Sequence, residues 1–251
     1  MKNPKSILIT GASSGIGEAL ALYYAAPDVT LHLCGRDGLR LSAVAEGCRR
    51  KGARVHAAVI DVTAGDAAAE WIDASDGLAP LDLVVANAGV GIGHDEGSLA
   101  AVAEATFAVN VGGVFHTVHP AIEHMRRRRR GQIAVVSSVA GYQGLASTPA
   151  YSASKAAVKA YGEALRGFLE SDGIEVCVIC PGFVASRITA RNSFPMPFFM
   201  QADRAARIIA RGLARNRGRI TFPWQMVLAA RLLVNLPMWA VDGIARRAPR
   251  K

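Results

Sequence analysis

The sequence has few cysteines, few aromatic residues and no low-complexity tract. Aromatic residues make up 6% of its 251 residues, and the four cysteines are Cys34, Cys48, Cys177 and Cys180. Their spacing forms no disulfide framework, which is typical of reduced thiols in a cytosolic protein. No repeat of about 20–50 residues is visible, which argues against a solenoid. Together these absences argue against secreted, repetitive and disordered classes of protein.

The first residues carry no recognisable export signal. Residues 1–6 run directly into the short strand-like stretch 7–10, without a long apolar segment or a small-residue cleavage site. A cytoplasmic location is therefore expected. With 51% apolar and 20% charged residues, the chain is expected to form a single domain over 1–251.

The net charge of +9 is unevenly distributed. One block of five arginines occupies 126–130, and a second basic cluster contains Arg246, Arg247, Arg250 and Lys251. Such blocks can bind nucleic acid or an anionic membrane, but cations at 126–130 also suit the C-terminal end of a helix predicted over 111–125. The solvated helix end is the preferred interpretation of the first block, and nucleic acid is not an expected partner.

Short apolar runs alternate with alanine-rich segments of helix length. The predicted strands are 6–10, 29–34, 55–60, 81–86, 132–137 and 174–179, with a seventh near 218–222. This alternation predicts an α/β protein with a doubly wound, Rossmann-like parallel sheet covered by helices on both faces. Ligands of such folds bind at the carboxyl ends of the strands.

The first predicted strand ends in a glycine-rich turn. Gly11, Gly15 and Gly17 follow the strand and precede a predicted helix over 18–26. Glycines there let the backbone approach a pyrophosphate at the helix N-terminus. Their spacing, G-x-x-x-G-x-G, differs from the G-x-G-x-x-G fingerprint. The turn predicts dinucleotide binding.

Tyr151 and Lys155 are one helical turn apart in the sequence Tyr-Ser-Ala-Ser-Lys. Residues at this spacing are neighbours on a helix surface. A free tyrosine has a pKa of about 10, and a nearby cation lowers it by favouring the phenolate. The pair therefore predicts a general acid or base, although a Tyr and a Lys four apart also occur by chance on solvated helices.

The motifs in order are residues 10–17, Asn87-Ala-Gly89, Asn110, Ser138, Tyr151-x-x-x-Lys155 and Pro181-Gly182. Their order and spacing over about residues 5–190 resemble those of the short-chain dehydrogenase/reductase family. The resemblance implies a catalytic set of Asn110, Ser138, Tyr151 and Lys155, and no metal. It implies a cofactor site formed by Gly11, Ser13, Ser14, Gly15, Ile16, Gly17, Arg36, Asp61, Val62, Asn87, Ala88, Gly89, Tyr151, Lys155, Pro181, Gly182, Val184 and Ser186.

The end of the second predicted strand favours NADP(H). Gly35 occupies the place where family members that use NAD carry an acidic residue, and Arg36 follows it. A guanidinium pairs well with a 2′-phosphate. The alternative is that Arg36 merely pairs with Asp37 in a solvated loop. Asp61 resembles the family's adenine-contacting acid, but it is also a plausible turn residue or helix cap.

The resemblance also assigns roles to three polar residues. Asn87 is expected to steady the central sheet and contact the cofactor. Asn110 is expected to bend its helix and hold a water linked to Lys155, with a satisfied buried amide as the alternative. Ser138, taken as the end of a strand over 134–138, is expected to bond the substrate oxygen, while Ser137 points to the opposite face.

Two other patterns have weaker functional interpretations. Cys177 and Cys180 have C-x-x-C spacing, but residues three apart on a strand face opposite ways, so a redox pair is not expected. His116, His119 and His124 lie on a helix-like stretch that Pro120 is predicted to interrupt, and they complete no metal signature.

The remainder of the chain is expected to shape the substrate site. The resemblance makes 187–200 a lid, which favours an apolar substrate, although packing on the core or on another subunit is an alternative. The segment 220–251 is apolar and then basic. Arg231 and Pro237 interrupt its apolar part, so it lacks the roughly 20 consecutive apolar residues that a membrane-spanning helix needs. It is a candidate lid, oligomer contact or interfacial helix in peripheral contact with a membrane.

The expected function is NADPH-dependent reduction of a small-molecule carbonyl to an alcohol, by a homodimer or homotetramer. A 3-oxoacyl thioester reductase is the alternative enzyme, because a basic surface suits an acidic carrier protein. A nucleotide-sensing or membrane-attached protein without catalysis is the alternative of another class.

Overall fold

The chain forms one seven-stranded parallel sheet with helices on both faces, which confirms the predicted doubly wound fold. The computed structural model describes residues 1–92, 97–192 and 194–245, and side chains of the last helix as far as Val241. The strands are β1 (Ser6–Thr10), β2 (Thr30–Gly35), β3 (Arg54–Val59), β4 (Leu83–Ala86), β5 (Gly131–Val136), β6 (Ile174–Pro181) and β7 (Arg219–Phe222). Their order in the sheet is β3-β2-β1-β4-β5-β6-β7.

The helices that cover the sheet alternate with its strands. They are α1 (Gly15–Tyr24), α2 (Gly38–Arg49), α3 (Gly65–Leu78), α4 (Leu99–Phe107), α5 (Gly113–Arg128), α6 (Pro149–Phe168), α7 (Arg187–Ala190), α8 (Ala202–Ala214), α9 (Trp224–Val234) and α10 (Met238–Ala245). A π-helical turn, Ala108–Gly112, joins α4 to α5, and a 3₁₀ turn, Val139–Gly141, follows β5.

Two apolar clusters form the core, one on each face of the sheet. Side chains alternate along a strand, so Ile7 and Ile9 of β1 join the cluster under α1, α2 and α8, while Leu8 joins the cluster on the other face. Cys177 and Cys180 of β6 fall into different clusters for the same reason. The two thiols therefore face opposite ways, as the strand geometry predicted, and both are free and buried.

The helical run Leu99–Arg128 contains Pro120 without ending there, so the predicted interruption is wrong. Proline removes one helical hydrogen bond, but the inner face of α5 is held on the sheet by Val114, Val118 and Met125. By length and composition alone the run is long and apolar enough to cross a membrane, a test that core helices of soluble proteins also pass.

The arginine block at the end of α5 is bound to neighbouring elements and is therefore not simply solvated. Arg126 pairs with Asp172 at 2.7 Å, Arg128 with Asp76 at 2.9 Å and Arg130 with Asp82 at 3.3 Å. Asp82 precedes β4, so these ion pairs lie at the amino edge of the sheet. The second basic cluster, from Arg246 onward, lies outside the described residues.

The carboxyl edge of the sheet gathers the polar motifs. β1 pairs with β2 on one side and β4 on the other, so the chain order reverses between β1 and β4. At such a reversal the loops on the two sides diverge and leave a crevice. The glycine turn after β1, Asn87 after β4 and Ser138 after β5 all reach this edge.

Candidate active site

The glycine turn forms a cradle that side chains would fill. Gly11 and Gly15 have φ of 64° and 61°, a backbone conformation that other residues rarely adopt. A Cβ added to Gly11 would lie 2.8 Å from the Ala88 Cα, and one added to Gly17 would overlap the Gly11 carbonyl oxygen. Ser14 precedes α1 without a side-chain cap hydrogen bond, which leaves its hydroxyl and the first helical amides for an anion.

Asn87 holds this turn against β4, as predicted. Its side-chain nitrogen donates to the carbonyl oxygens of Thr10 at 2.9 Å and Gly11 at 3.1 Å. The Thr10 hydroxyl accepts from the backbone amides of Asn87 at 3.1 Å and Ala88 at 3.2 Å. These bonds fix the position of the glycine turn relative to the central strands.

Tyr151 and Lys155 lie on the first turns of α6, as the sequence predicted. Pro149 starts the helix at a position where its missing N–H costs no hydrogen bond. The Lys155 side chain is 4% exposed, and its Nζ donates to the Val136 carbonyl oxygen at 3.0 Å. Nζ also lies 5.8 Å from the centroid of the Tyr151 ring.

Burial shifts the pKa of both groups away from their charged forms. Desolvation raises the pKa of Tyr151, and a hydrogen bond with Ser138 opposes that rise. Desolvation lowers the pKa of Lys155 to about 8. The expected lowering of the Tyr151 pKa by Lys155 is therefore not observed, because desolvation dominates and only the Ser138 hydrogen bond opposes it. The phenol is protonated at neutral pH.

Ser138 is the serine that faces Tyr151. It lies two residues beyond β5, so it caps the 3₁₀ turn and does not end a strand over 134–138 as predicted. Its Oγ accepts from the Ala140 amide at 3.1 Å. Ser137 instead donates to the Lys155 carbonyl oxygen at 2.6 Å, and so it braces α6 against the sheet.

Asn110 lies fully buried in the π-helical turn. Its Oδ1 accepts from the Val90 amide at 2.8 Å, and its Nδ2 donates to the Val90 carbonyl at 3.0 Å and to Ser154 Oγ at 3.0 Å. The amide is thus satisfied within the protein. A Cβ added to Gly89 would lie 3.1 Å from Asn110 Oδ1 and 3.3 Å from Lys155 Nζ. Both side chains therefore line the same small space.

Arg36 projects into solvent at the end of β2 and does not pair with Asp37. Asp37 caps α2 by accepting from the Arg40 amide at 3.0 Å and pairs with the Arg40 side chain at 2.5 Å. Arg36 instead approaches Asp61 at 3.7 Å. Gly35 is buried, and a Cβ there would lie 3.0 Å from Ser13 Oγ. Arg36 and Ser13 therefore flank one position next to the glycine turn.

Asp61 is held in a turn by Thr63. Its Oδ1 accepts from the Thr63 amide at 3.0 Å and hydroxyl at 2.9 Å. Burial favours the neutral acid, but these bonds and the Arg36 charge outweigh it and lower the pKa of Asp61. The Val62 side chain packs on Gly113 of α5, and its carbonyl oxygen is 2.8 Å from His116 Nδ1.

The segment after β6 returns to the glycine turn. Ser186 caps α7. Its Cβ lies so close to Gly15 that a Cβ added to Gly15 would be only 2.9 Å away. Val184 is buried and bridges to Met200. Gly182 lies against α9, because a Cβ there would lie 2.5 Å from Met226 Sδ. Pro181 ends β6, and its carbonyl oxygen is 3.5 Å from Ser138 Oγ.

The predicted lid contributes Ile188 to the site. A Cβ on Gly91 would lie 3.0 Å from Ile188 Cγ2 and 3.9 Å from the Tyr151 ring. Beyond α7, Phe194 packs edge-on against Phe183, with ring centroids 5.9 Å apart. Ser193, also in the predicted lid, lies outside the described residues. Whether 187–200 acts as a lid stays a prediction.

A separate cavity of about 430 Å³ lies on another face of α6. Ser152 and Ala156 of α6, the loop 142–146, and Met238 and Val241 of α10 line it. It lies beside the helix that carries Tyr151, but Tyr151 is not among its lining residues.

The model of the short chain dehydrogenase family matches residues 5–195. An uncharacterized oxidoreductase of Myxococcus xanthus is 40% identical over 245 residues, which cover 97% of both chains. The chain belongs to the short-chain dehydrogenase family. Retinol dehydrogenase 8 of Bos taurus is 33% identical over 196 residues, 75% of this chain and 62% of that protein.

Solved structures of short-chain dehydrogenases agree with this assignment. One from Burkholderia phymatum in complex with NAD has a TM-score of 0.83 at 27% identity, covering 98% of this chain and 96% of the other. One from Sphingobium yanoikuyae in complex with NADPH has a TM-score of 0.79 at 25% identity, covering 92% and 96%. This short-chain dehydrogenase is thus an oxidoreductase of a family that uses nicotinamide cofactors on small molecules and commonly forms oligomers.

Sequence reasoning missed several residues of the site of this short-chain dehydrogenase. Ser154 bonds both Asn110 and, at 2.8 Å, the Tyr151 carbonyl oxygen. Its place between Tyr151 and Lys155 was a signal, because a serine inside a helix needs a bonding partner. Gly91 had no sequence signal, since only the folded chain brings it to Tyr151, and Ile188 was covered only as an unnamed member of the predicted lid.

Proposed function

We propose that this protein reduces the carbonyl group of an apolar ketone or aldehyde to an alcohol with NADPH. The observation that carries the proposal is that Ser138, Tyr151 and Lys155 meet beside the glycine turn at the carboxyl edge of the sheet. This arrangement supports proton donation to an oxygen that lies next to a bound dinucleotide.

The residues present fit a dinucleotide. The glycine turn, the free start of α1 and Ser186 beside Gly15 form a backbone cradle suited to a pyrophosphate. Lys155 and Asn110 line the space over Gly89, where a ribose would find an ammonium and an amide. When bound, NADPH supplies the hydride that the reduction requires.

The side chains of this protein then handle the carbonyl oxygen and its proton. Ser138 donates a hydrogen bond to the oxygen and orients it. Tyr151 is neutral at physiological pH because burial raises its pKa, and it therefore holds the proton that the developing alkoxide needs. Lys155 stabilises the tyrosinate that remains. Asn110 holds the backbone of Val90, next to Gly89 and Gly91, in place by hydrogen bonds to its amide and carbonyl groups. Oxidation of the alcohol uses the same residues in reverse.

Arg36 supports NADPH over NADH. Gly35 offers no carboxylate to a ribose hydroxyl, and a guanidinium next to Ser13 provides two charge-assisted donors for a 2′-phosphate. Asp61 argues against this preference, since its carboxylate lies 3.7 Å from Arg36 and competes with a 2′-phosphate for the guanidinium. Related structures contain either cofactor, so the choice depends on this local chemistry.

Apolar side chains around Tyr151 support an apolar substrate. Ile188 stands beside Gly91 and the Tyr151 ring, and Phe183 packs with Phe194 in the following segment. A 3-oxoacyl thioester remains the second substrate class, because a 3-oxoacyl-[acyl-carrier protein] reductase from Brucella melitensis has the same fold, with a TM-score of 0.74 at 27% identity.

An exposed aromatic surface on α5 and α6 supports a homodimer or homotetramer. Phe168 is exposed at the end of α6, and Phe115 packs against His119 and Tyr161 across the two helices. Apolar side chains on an outer helix face suit a partner subunit. The cytoplasmic location expected from the sequence stays a prediction.

Turnover of a carbonyl panel, followed by NADPH absorbance, tests the proposal. We expect consumption of NADPH with apolar ketones or aldehydes, and a loss of at least about 100-fold in kcat for Tyr151→Phe, because the proton donor is removed. NADPH affinity should stay within about threefold of the original, since the phenol contributes little to cofactor binding.

Tyr142→Phe is the matched control, because Tyr142 lies on the adjoining loop and should leave kcat nearly unchanged. Tight NADPH binding without turnover of any carbonyl, 3-oxoacyl thioesters included, would instead support a nucleotide sensor. Turnover confined to thioesters would identify the second substrate class.

A further inference from the structure

Arg187 lies at the start of α7, next to the glycine turn. A Cβ added to Gly15 would be 2.9 Å from the Ser186 Cβ and 3.5 Å from the Ala185 carbonyl oxygen, so the backbone before α7 rests on this turn. The Ser186 hydroxyl accepts from the Thr189 amide at 3.3 Å, and the Thr189 hydroxyl accepts from the Ser186 amide at 2.9 Å. Arg187 is thus held at the rim of the dinucleotide cradle by contacts that do not involve its own side chain.

The loop after β2, which carries Arg36, borders the same glycine turn. A Cβ added to Gly35 would be 3.0 Å from Ser13 Oγ, and Ser13 lies only two residues before Gly15 in the turn. One short turn therefore contacts both the end of β2 and the start of α7. The two segments that carry Arg36 and Arg187 lie at neighbouring positions on the rim of the cradle.

The charge of Arg187 reaches the loop after β2. Asp37, the residue after Arg36, has a lowered pKa. The backbone hydrogen bond from Arg40 is the largest cause, and the charges of Arg40 and Arg187 lower the pKa further, against desolvation. The guanidinium of Arg187 therefore acts on the same short loop that presents Arg36, as the contacts of the glycine turn require.

The charge balance of this rim leaves Arg187 without a close carboxylate of its own. Arg36 approaches Asp61 at 3.7 Å and Arg40 pairs with Asp37 at 2.5 Å, so each of these two pairs is neutral as a unit. Arg187 is exposed, and among the residues that the structure describes it has neither a hydrogen bond nor an ion pair. It therefore supplies the net positive charge of this group of side chains.

We propose that Arg187 binds the 2′-phosphate of NADPH together with Arg36, and so is a second residue that determines cofactor specificity. The inference rests on the proposed function, because it requires NADPH as the cofactor. A phosphate monoester carries about 1.5 to 2 negative charges at neutral pH, more than Arg36 neutralises while it also faces Asp61. The pyrophosphate is the competing group, but the amides at the start of α1 serve it, whereas the Arg187 charge acts on the loop after β2.

Ligand binding tests this inference without turnover. Isothermal titration of the full-length protein with NADPH, NADH, 2′,5′-adenosine bisphosphate and 5′-AMP compares ligands that carry a 2′-phosphate with ligands that lack it. We expect Arg187→Ala to weaken NADPH and the bisphosphate by about tenfold, and NADH and 5′-AMP by less than about twofold, because only the first two offer the charge-assisted bonds. The double variant Arg36→Ala/Arg187→Ala should retain no preference for NADPH over NADH.

Two variants serve as controls. Arg187→Lys keeps the charge and should lose no more than about threefold in NADPH affinity, which separates the role of the charge from a role in folding. Arg127→Ala removes the same charge from an exposed arginine at the amino edge of the sheet and should leave all four affinities unchanged. Urea unfolding of Arg187→Ala should match the original, since alanine favours the helix and the hydroxyls that cap α7 remain.

Three results would overturn the inference. Equal weakening of NADPH and NADH by Arg187→Ala would assign this arginine to the pyrophosphate. Unchanged NADPH affinity in Arg187→Ala, with a clear loss in Arg36→Ala, would leave Arg36 as the 2′-phosphate ligand and the proposed function standing. An original protein that binds NADH but neither NADPH nor the bisphosphate would overturn both the inference and the choice of NADPH in the proposed function.

Discussion

Tyr151 and Lys155 show how one physical effect acts on two neighbouring groups. Both are removed from water, and loss of hydration penalises the charged form of each. The phenol therefore keeps its proton more firmly, while the ammonium releases its proton at lower pH than usual. A protonated phenol is the form that a reductase needs. The lysine charge, in contrast, becomes sensitive to pH in the physiological range.

Loss of the Lys155 charge should limit the reaction at high pH. Because burial lowers the pKa of Lys155 to about 8, the ammonium is present below that pH and is lost as pH rises through it. We expect kcat/KM for NADPH, which reports the free enzyme, to fall with an apparent pKa of about 8. Steady-state rates across the pH range measure this. A profile that stays flat beyond about pH 9.5 would rule out the dependence.

Arg36 is predicted to decide the choice of cofactor. Replacing Arg36 by alanine removes the charge-assisted bonds to a 2′-phosphate, worth about 1.5–3 kcal/mol, so NADPH affinity should fall by about 10–100-fold. NADH affinity should change by less than about threefold. Isothermal titration with each cofactor measures both values.

Arg40→Ala is the control for this prediction, because Arg40 pairs with Asp37 at the start of α2. The prediction is wrong if Arg36→Ala weakens NADPH and NADH equally, or if the original protein already prefers NADH.

At the scale of single elements, the turn from β1 to α1 depends on close backbone packing. Gly17 lies where any side chain would overlap the Gly11 carbonyl oxygen and approach Asn87 Nδ2 to 2.6 Å. The Asn87 amide already bonds two carbonyl oxygens, so it has little freedom to move away. Only glycine therefore fits at position 17, because there is no space for a Cβ.

Gly17→Ala should open this turn. We expect a loss of about 1–3 kcal/mol in the free energy of unfolding from overpacking, and a fall of at least about tenfold in dinucleotide affinity because the cradle shifts. Urea unfolding and cofactor titration measure the two effects.

Gly77→Ala provides the opposite control. Gly77 lies within α3 with nothing within 4 Å of an added Cβ, so alanine should stabilise the protein by about 0.5–1 kcal/mol. Equal responses of Gly17→Ala and Gly77→Ala would mean that packing at the turn is not tight.

At the scale of the whole molecule, one buried histidine links pH to global stability. His32 lies in β2 with no exposed surface, and neither ring nitrogen has a hydrogen-bond partner among the described residues. Burial, together with the stacked His56 and against an opposing effect of Asp76, lowers the pKa of His32 to about 4. The native state therefore excludes a proton that the unfolded chain binds.

Stability should decline as pH falls from about 6.5 toward 4, because only the unfolded state is protonated at this residue in that range. We expect a loss of about 2 kcal/mol in the free energy of unfolding between about pH 7.5 and about pH 5. His32→Leu should remove most of this loss. Urea unfolding at the two pH values measures it, and an unchanged pH dependence in the variant would contradict the assignment to His32.

The sequence by itself determined the order of the elements and the type of chemistry. Alternating apolar runs required a parallel sheet, and such a sheet brings every strand-end motif to one edge. Gly11, Asn87, Ser138 and Tyr151 could therefore be grouped without coordinates. Their residue types and spacing also carried the family resemblance.

Tertiary packing alone decided the state of these groups and the residues around them. The pKa of Tyr151 depends on how much water the fold removes, and Arg36 could be freed from Asp37 only once α2 claimed that carboxylate as its cap. Val62 packs on Gly113 of α5 and Gly182 lies against Met226 of α9, while Ile188 reaches Gly91, a residue distant along the chain. Local sequence fixes which groups are near a strand end, but long-range packing sets where each side chain points and how strongly it is desolvated.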